Sequence, residues 1–285
     1  MNRRILPALV ALAALLAAGC AQDPSARGDG SSGYGPTSTA PSATSTDRAK
    51  AIESFDFAAT DWYDARSGQT LSPGSAGSQD SWWQVDTGTS GNPVQYADLD
   101  HDGYEDAVVW LTSGEGSDYW HYAYVWTWDA EQGTAVQSPY PITDDASCGN
   151  STKSLSVDAA TGRITVTRLI RNNEACSDLP AHEVANTIEL ENGMPIRTSP
   201  VRASTGPCLE PASDGRATTE IATRPLRLAP DADAPELALD QVPWVALGGG
   251  RDQTTNGYHQ VLFRAGDDSL TWYCAYTDEI AIANG

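Results

Sequence analysis

Residues 98–106 read Asp-Leu-Asp-His-Asp-Gly-Tyr-Glu-Asp and run directly into Ala107-Val108-Val109-Trp110-Leu111. A tight acidic turn must therefore deliver the chain into a segment rich in β-branched and aromatic residues, which reads as a buried strand. Asp98, Asp100 and Asp102 occupy positions 1, 3 and 5 of the turn, Gly103 position 6, Tyr104 position 7 and Asp106 position 9. Alternate residues of a tightly wound loop aim their carboxylates at one centre, and Gly103 permits the sharp bend. The Tyr104 carbonyl supplies a further oxygen, and Asp106 closes the shell directly or through water. A calcium ion, which takes about six to eight oxygens, needs such a set. Four aspartates so close together repel one another when no cation is present. The expectation is a Ca2+ site with Asp98, Asp100, Asp102, Tyr104 and Asp106 as ligands. The alternative is a solvated acidic turn, since Asp and Gly are ordinary turn residues.

The loop resembles the calcium loops of EF-hands, dockerins and the FG-GAP repeats of integrin-type propellers. An EF-hand carries a bidentate Glu at position 12, where this chain has Val109. Because the loop feeds a strand, it is more similar to the FG-GAP type. That resemblance implies a structural ion, with no helix pair to open as a signalling switch.

At the amino terminus, Arg3 and Arg4 precede an apolar stretch at 5–18 that ends in Ala17-Ala18-Gly19-Cys20. A basic start, a short apolar core and small residues make a secretory leader, and the run is short for a membrane span. The ending Leu16-Ala17-Ala18-Gly19-Cys20 resembles a bacterial lipoprotein lipobox, with Ala17 where the family usually has Leu. The resemblance implies removal of residues 1–19, fatty acylation (palmitate) of Cys20, and an extracytoplasmic protein anchored to the outer face of the cell membrane. An ordinary leader with an incidental cysteine is the alternative. Residues 20–47 are Ser, Thr, Gly, Pro and Ala with almost no large apolar side chain, too few to offset the entropy of folding. They read as a tether of about 27 residues, which would reach roughly 30 Å as a flexible coil.

Setting Cys20 aside leaves Cys148, Cys176, Cys208 and Cys274, an even number in a chain that leaves the reducing cytosol. Three pairings are possible. Cys148 with Cys176 and Cys208 with Cys274 keep each bridge within one structural unit, whereas the spacings are unlike the paired CxxC of a zinc site. The chain has 17 Lys plus Arg against 38 Asp plus Glu, a formal charge of −21. Such a surface repels nucleic acid and anionic headgroups and attracts cations.

Short apolar runs between turn residues dominate what remains: 106–112, 120–128, 153–158, 163–170 and 187–190. The third and fourth are joined by Ala159-Ala160-Thr161-Gly162, and the fifth precedes a turn at Asn192-Gly193. Helical periodicity is confined to 47–55. The expected fold is mainly β: an antiparallel domain at 48–200, sandwich-like or an open sheet, with the calcium loop feeding a strand. Prolines 207, 211, 225, 230 and 235 open a smaller β-rich unit at 201–285, stapled by Cys208 and Cys274. Its strands at 258–264 and 270–276 meet at a turn over 265–268. The acidic loop, the Asp106 to Val109 strand start, the aromatic strand and the 155–166 hairpin together resemble a diffuse group of bacterial secreted proteins. That resemblance implies a fold and a metal, and no shared catalytic motif.

On a strand, Trp120, Tyr122, Tyr124, Trp126 and Trp128 point to one face. Such a row either stacks on sugar or fills a core. The other face offers only His121, Ala123, Val125 and Thr127, which makes the aromatic face the better core face. Trp82 and Trp83 must point to opposite faces of a strand, which leaves one of them as a further candidate contact. The sequence has no GxSxG elbow, SxxK, HExxH or phosphate-binding glycine loop with Lys, and its four histidines, His101, His121, His182 and His259, are scattered. No catalytic residue is assigned. The expected function is an envelope-anchored, calcium-stabilised binding or structural module, partnered through Cys20 with the membrane and with wall glycan or another envelope protein. The alternatives are glycan binding through the aromatic strand, and a polysaccharide hydrolase built on converging carboxylates, or its accessory.

Overall fold

The apolar run after the acidic loop forms the strand Asp106–Glu115, and the aromatic-rich stretch after it forms Asp118–Asp129. The two pair antiparallel from Glu115 with Asp118 to Ala107 with Trp126 and make the middle of a first sheet. Ser81–Asp86 and Gln95–Ala97 share the outer edge of the first strand. Thr134–Gln137 and Thr143–Ala146 share the outer edge of the second. This is a computed structural model, and it describes residues 49–65, 68–72, 81–88, 91–115, 118–208, 221–222, 224–242, 245–248, 254–264 and 270–281. The leader, Cys20, the tether and the turn at 265–268 lie outside the described residues.

A second sheet holds Ser151–Asp158, Arg163–Ile170, His182–Glu191, Met194–Ser199 and Ala203–Ser204, each antiparallel to the next. Its turns use the residues that such turns demand. Gly162 sits at φ +61° before the second strand, and Asn192 and Gly193 are both left-handed, at 53° and 72°. A two-residue hairpin turn of the I′ type requires positive φ at both central positions, which Asn-Gly tolerates best. A third sheet orders Glu236–Leu237, Leu226–Arg227, Tyr273–Thr277, Tyr258–Phe263 and Ala246–Leu247. Cys148 is bonded to Cys176 and Cys208 to Cys274. The fold is thus mainly β and antiparallel, with both bridges in the favoured pairing.

The first sheet is buried on both faces. Tyr122, Tyr124 and Trp126 pack with Ile52, Phe57 and Trp62 on one side, where the Trp62 ring meets Trp126 edge-on at 4.8 Å. On the other side Val108, Trp110, Ala123 and Val125 pack against Ile164, Val166 and Ile188 of the second sheet. Ile196 and Ala203 of the second sheet then share a further core with Leu226, Val261, Phe263 and Ala275. The C-terminal strands are therefore built onto the second sheet, and residues Ala43–Gly285 make one compact unit. Among the described residues of the helix expected at 47–55, Ala49 is helical and Ala51–Ser54 form a 3-10 turn in which Ile52 alone is buried. So short a segment has no amphipathic face to stabilise a longer helix.

Candidate metal centre

The acidic loop connects two paired strands. Ala97 is opposite Asp106 in the ladder between Gln95–Ala97 and Asp106–Glu115, so the two ends of the loop are held side by side before any ion is considered. Gly103 adopts φ +92° and His101 φ +65°, which winds the intervening residues tightly. One carboxylate oxygen each from Asp98, Asp100 and Asp106 then lies within 4.8 Å of the other two. Calcium binds oxygen at about 2.3–2.6 Å, so two oxygens on one ion are separated by no more than about 5 Å. The three carboxylates meet that requirement.

Each acid is held differently. Asp106 is buried, and its two oxygens accept from Leu99 N–H at 2.9 Å and Trp128 N–H at 3.0 Å. Those bonds fix its orientation and leave lone pairs for a cation. Burial pushes its carboxyl up to about 7 against the opposing pull of these bonds, and the charges of Asp100 and Asp102 add to the rise. Burial, then the neighbouring Asp102, also raises Asp100. Both shifts come first from burial and then from like charge close by. Asp98 accepts from Gly103 N–H through Oδ2 at 3.1 Å, while its Oδ1 is buried with no hydrogen-bond partner. A buried carboxylate oxygen without a hydrogen-bond partner among the described residues fits a cation and is otherwise costly.

Asp102 departs from the expected ligand set. Its side chain lies outside the three-carboxylate cluster, and its Oδ1 accepts from Tyr104 N–H at 2.8 Å, as Asp100 Oδ1 accepts from Asp102 N–H at 3.2 Å within the cluster. Asp readily closes such local rings. Tyr104 enters this geometry through its N–H.

Two supports were not apparent in the sequence. Gly162, in the hairpin turn of the second sheet, lies so close to the loop that a Cβ there would sit 2.5 Å from the Asp98 carbonyl oxygen and 3.2 Å from Leu99 Cα. The segment before the first strand also grips the loop: Glu105 N–H donates to Ala49 O at 2.7 Å, and Lys50 pairs with Glu105 at 3.2 Å. The only sequence trace of either is the turn glycine itself, whose positive φ is a local requirement and says nothing of what it touches.

With this geometry in hand, the chain matches no protein-family model, no curated protein and no solved structure. The aromatic strand fills a core: Tyr122, Tyr124 and Trp126 are at most 3 % exposed, and Trp120 and Trp128 are partly buried against the same cluster. Phe55, Phe57 and Trp62 of the N-terminal segment meet the rings of Tyr124 and Trp126 and cover the middle of that face. Of the tryptophan pair, Trp82 is exposed at 44 % and Trp83 packs against the aromatic core. No helix among the described residues is long and apolar enough to cross a membrane.

Proposed function

We propose that the protein is a cell-envelope-anchored lipoprotein whose β ectodomain is stabilised by Ca2+ and acts as a binding or structural module. The convergence of Asp98, Asp100 and Asp106, together with the orphaned Asp98 Oδ1, is the observation that carries the metal. Asp106 fixes the base of the site, while Asp98 and Asp100 approach from the loop. The ion would offset their mutual repulsion and join the loop to both sheets, because Gly162 rests on the Asp98 backbone. The basic start, apolar core and Leu16-Ala17-Ala18-Gly19-Cys20 ending support the anchor, and two disulfides agree with an oxidising compartment.

The test is a thermal melt of the full-length protein in chelator and then in millimolar calcium. An ion that binds the folded state stabilises it by mass action. The expected result is a calcium-dependent rise that Asp100→Ala abolishes and Asp102→Ala largely keeps. A wild type whose melting temperature ignores calcium would overturn the metal. Incorporation of labelled palmitate, lost in Cys20→Ser, tests the anchor separately.

A further inference from the structure

Away from the acidic loop, the second sheet and the segment beside the Cys208–Cys274 bridge line a cavity of about 210 Å³. Its chemistry is opposite to that of the chain as a whole, which carries a formal charge of −21. Arg168, Asn186 and Arg197 come from three neighbouring strands. The ladders place Val184 opposite Arg168 and Ile188 opposite Arg197, so the polar side chains run diagonally across one face. Arg171 and Asp144 complete the charged lining, and Trp272 with Ile170 supplies apolar wall.

Arg197 is 5 % exposed. Its guanidinium lies 5.1 Å from the centre of the Tyr273 ring, but among the described residues it makes no ion pair, and its Nε is buried without a partner. Arg168 donates through Nη2 to Asp144 Oδ1 at 2.7 Å and to the Asp144 carbonyl at 2.8 Å, yet its Nε is also unpartnered. Arg171 spends its donors on the carbonyls of Gly149, Glu174, Ala175 and Asp178 and contributes charge alone. Three guanidiniums thus face a single carboxylate. Burial, then the neighbouring Arg168, pulls Arg197 down to about 10, which still leaves it charged at neutral pH. A buried cation without a counter-ion is expensive. Asn186 is buried beside it with an unpartnered side-chain oxygen, and rotating that amide would present its N–H2 group to the cavity instead.

We propose that this cavity is a binding site for a small oxyanion (carboxylate, sulfate or phosphate) held by the guanidiniums of Arg197 and Arg168. The planar fork of a guanidinium matches the oxygen spacing of all three anions. The volume lies below the roughly 300–1,000 Å³ of pockets for drug-sized ligands, which limits the guest to the anion with a short substituent against Trp272 and Ile170. Polyanions are excluded by size and by the negative surface outside.

The test titrates the full chain, with both disulfides formed and no added calcium, with sodium phosphate, sulfate and acetate at constant ionic strength made up with chloride. The Arg197 Nε–H resonance and calorimetry provide the readouts. The expected result is saturable one-site binding of at least one anion. Arg197→Met should weaken it at least tenfold, and Arg163→Met, at an exposed arginine off the cavity, should leave it unchanged. Preference among the three assigns a planar or a tetrahedral guest. No saturable response beyond chloride, or equal binding by Arg197→Met, overturns the proposal. Should that variant fail to fold, an Arg197 resonance in the wild type that none of the anions moves overturns it equally.

Discussion

Replacing Gly162 by alanine tests whether the second sheet buttresses the acidic loop. Two costs are separable. Gly162 has φ +61°, and an L-residue in the left-handed region costs about 1–2 kcal/mol. The added Cβ would also meet the Asp98 carbonyl oxygen at 2.5 Å, His101 Cε1 at 3.0 Å and Leu99 Cα at 3.2 Å. Two of those atoms are backbone and cannot swing away, so the hairpin and the loop must part, at an overpacking cost of about 1–3 kcal/mol. Loss of unfolded-state freedom returns about 0.4–1 kcal/mol. The net is a destabilisation of about 1–5 kcal/mol, or roughly 2–18 °C in melting temperature for a chain of this size. Gly193→Ala is the control, because its φ is +72° and nothing lies within 4 Å of its added Cβ. It should incur only the backbone cost, about 1 kcal/mol after the same correction. Calorimetric melts of the two variants, each in chelator and in calcium, measure the difference. Gly162→Ala should also need more calcium than the wild type for the same stabilisation, and Gly193→Ala should not. A Gly162→Ala protein no less stable than Gly193→Ala would refute the contact between hairpin and loop.

Tyr124 is fully buried, and its hydroxyl accepts from Ala65 N–H at 3.1 Å, so Tyr124→Phe should cost about 1 kcal/mol. A thermal melt that does not move would remove that bond from the account of the N-terminal segment. Glu191 is held below the usual carboxylate range by hydrogen bonding to Arg202, whose Nη2 donates to its Oε2 at 2.6 Å. A depressed folded value means that the pair stabilises the fold above the unfolded pKa of about 4.3, with that contribution lost as pH falls through the folded value. Because both groups are about a third exposed, the effect stays below about 1 kcal/mol. Glu191→Gln should therefore melt slightly lower than the wild type at pH 7 and converge with it as pH falls through the folded Glu191 value; a gap that persists below that titration would contradict the assignment.

Elements whose own residues specify them could be read from the sequence. The strands within 106–112, 120–128 and 163–170 announce themselves through β-branched and aromatic residues, and Asn192-Gly193 through the φ values that its turn demands. The short strands Gln95–Ala97 and Thr143–Ala146 carry no such signal; they exist because a longer neighbour offers an unpaired edge. At the loop, spacing identified the acids but could not say which would face a common centre. Asp98, Asp100 and Asp106 converge, whereas Asp102 stays outside their cluster. The cationic cavity left a faint trace: Arg168 follows Ile164 and Val166 at two-residue spacing, and Asn186 stands between Val184 and Ile188. Polar side chains at inward positions mark an unusual interior, but which strands adjoin in space cannot be counted along the chain.

The first sheet shows how far a one-strand argument reaches. Along Asp118–Asp129, large aromatics alternate with His121, Ala123, Val125 and Thr127, and contrast in size makes the aromatic face the better core face. Ala123 and Val125 are nevertheless completely buried. The clue lay in the partner strand, whose Ala107-Val108-Val109-Trp110-Leu111 run is apolar without alternation, the pattern of a strand covered on both sides. Antiparallel neighbours share their faces residue by residue, and Val108 is paired with Val125 and Trp110 with Ala123. If one strand is covered on both sides, so is the strand beside it. On that second face Ala123 and Val125 pack with Trp110 and Val108 against Ile164, Val166 and Ile188 of the second sheet. That approach also brings the turn at Gly162 against the acidic loop, so the packing that buries the aromatic strand from both sides is the same packing that holds the three carboxylates in place.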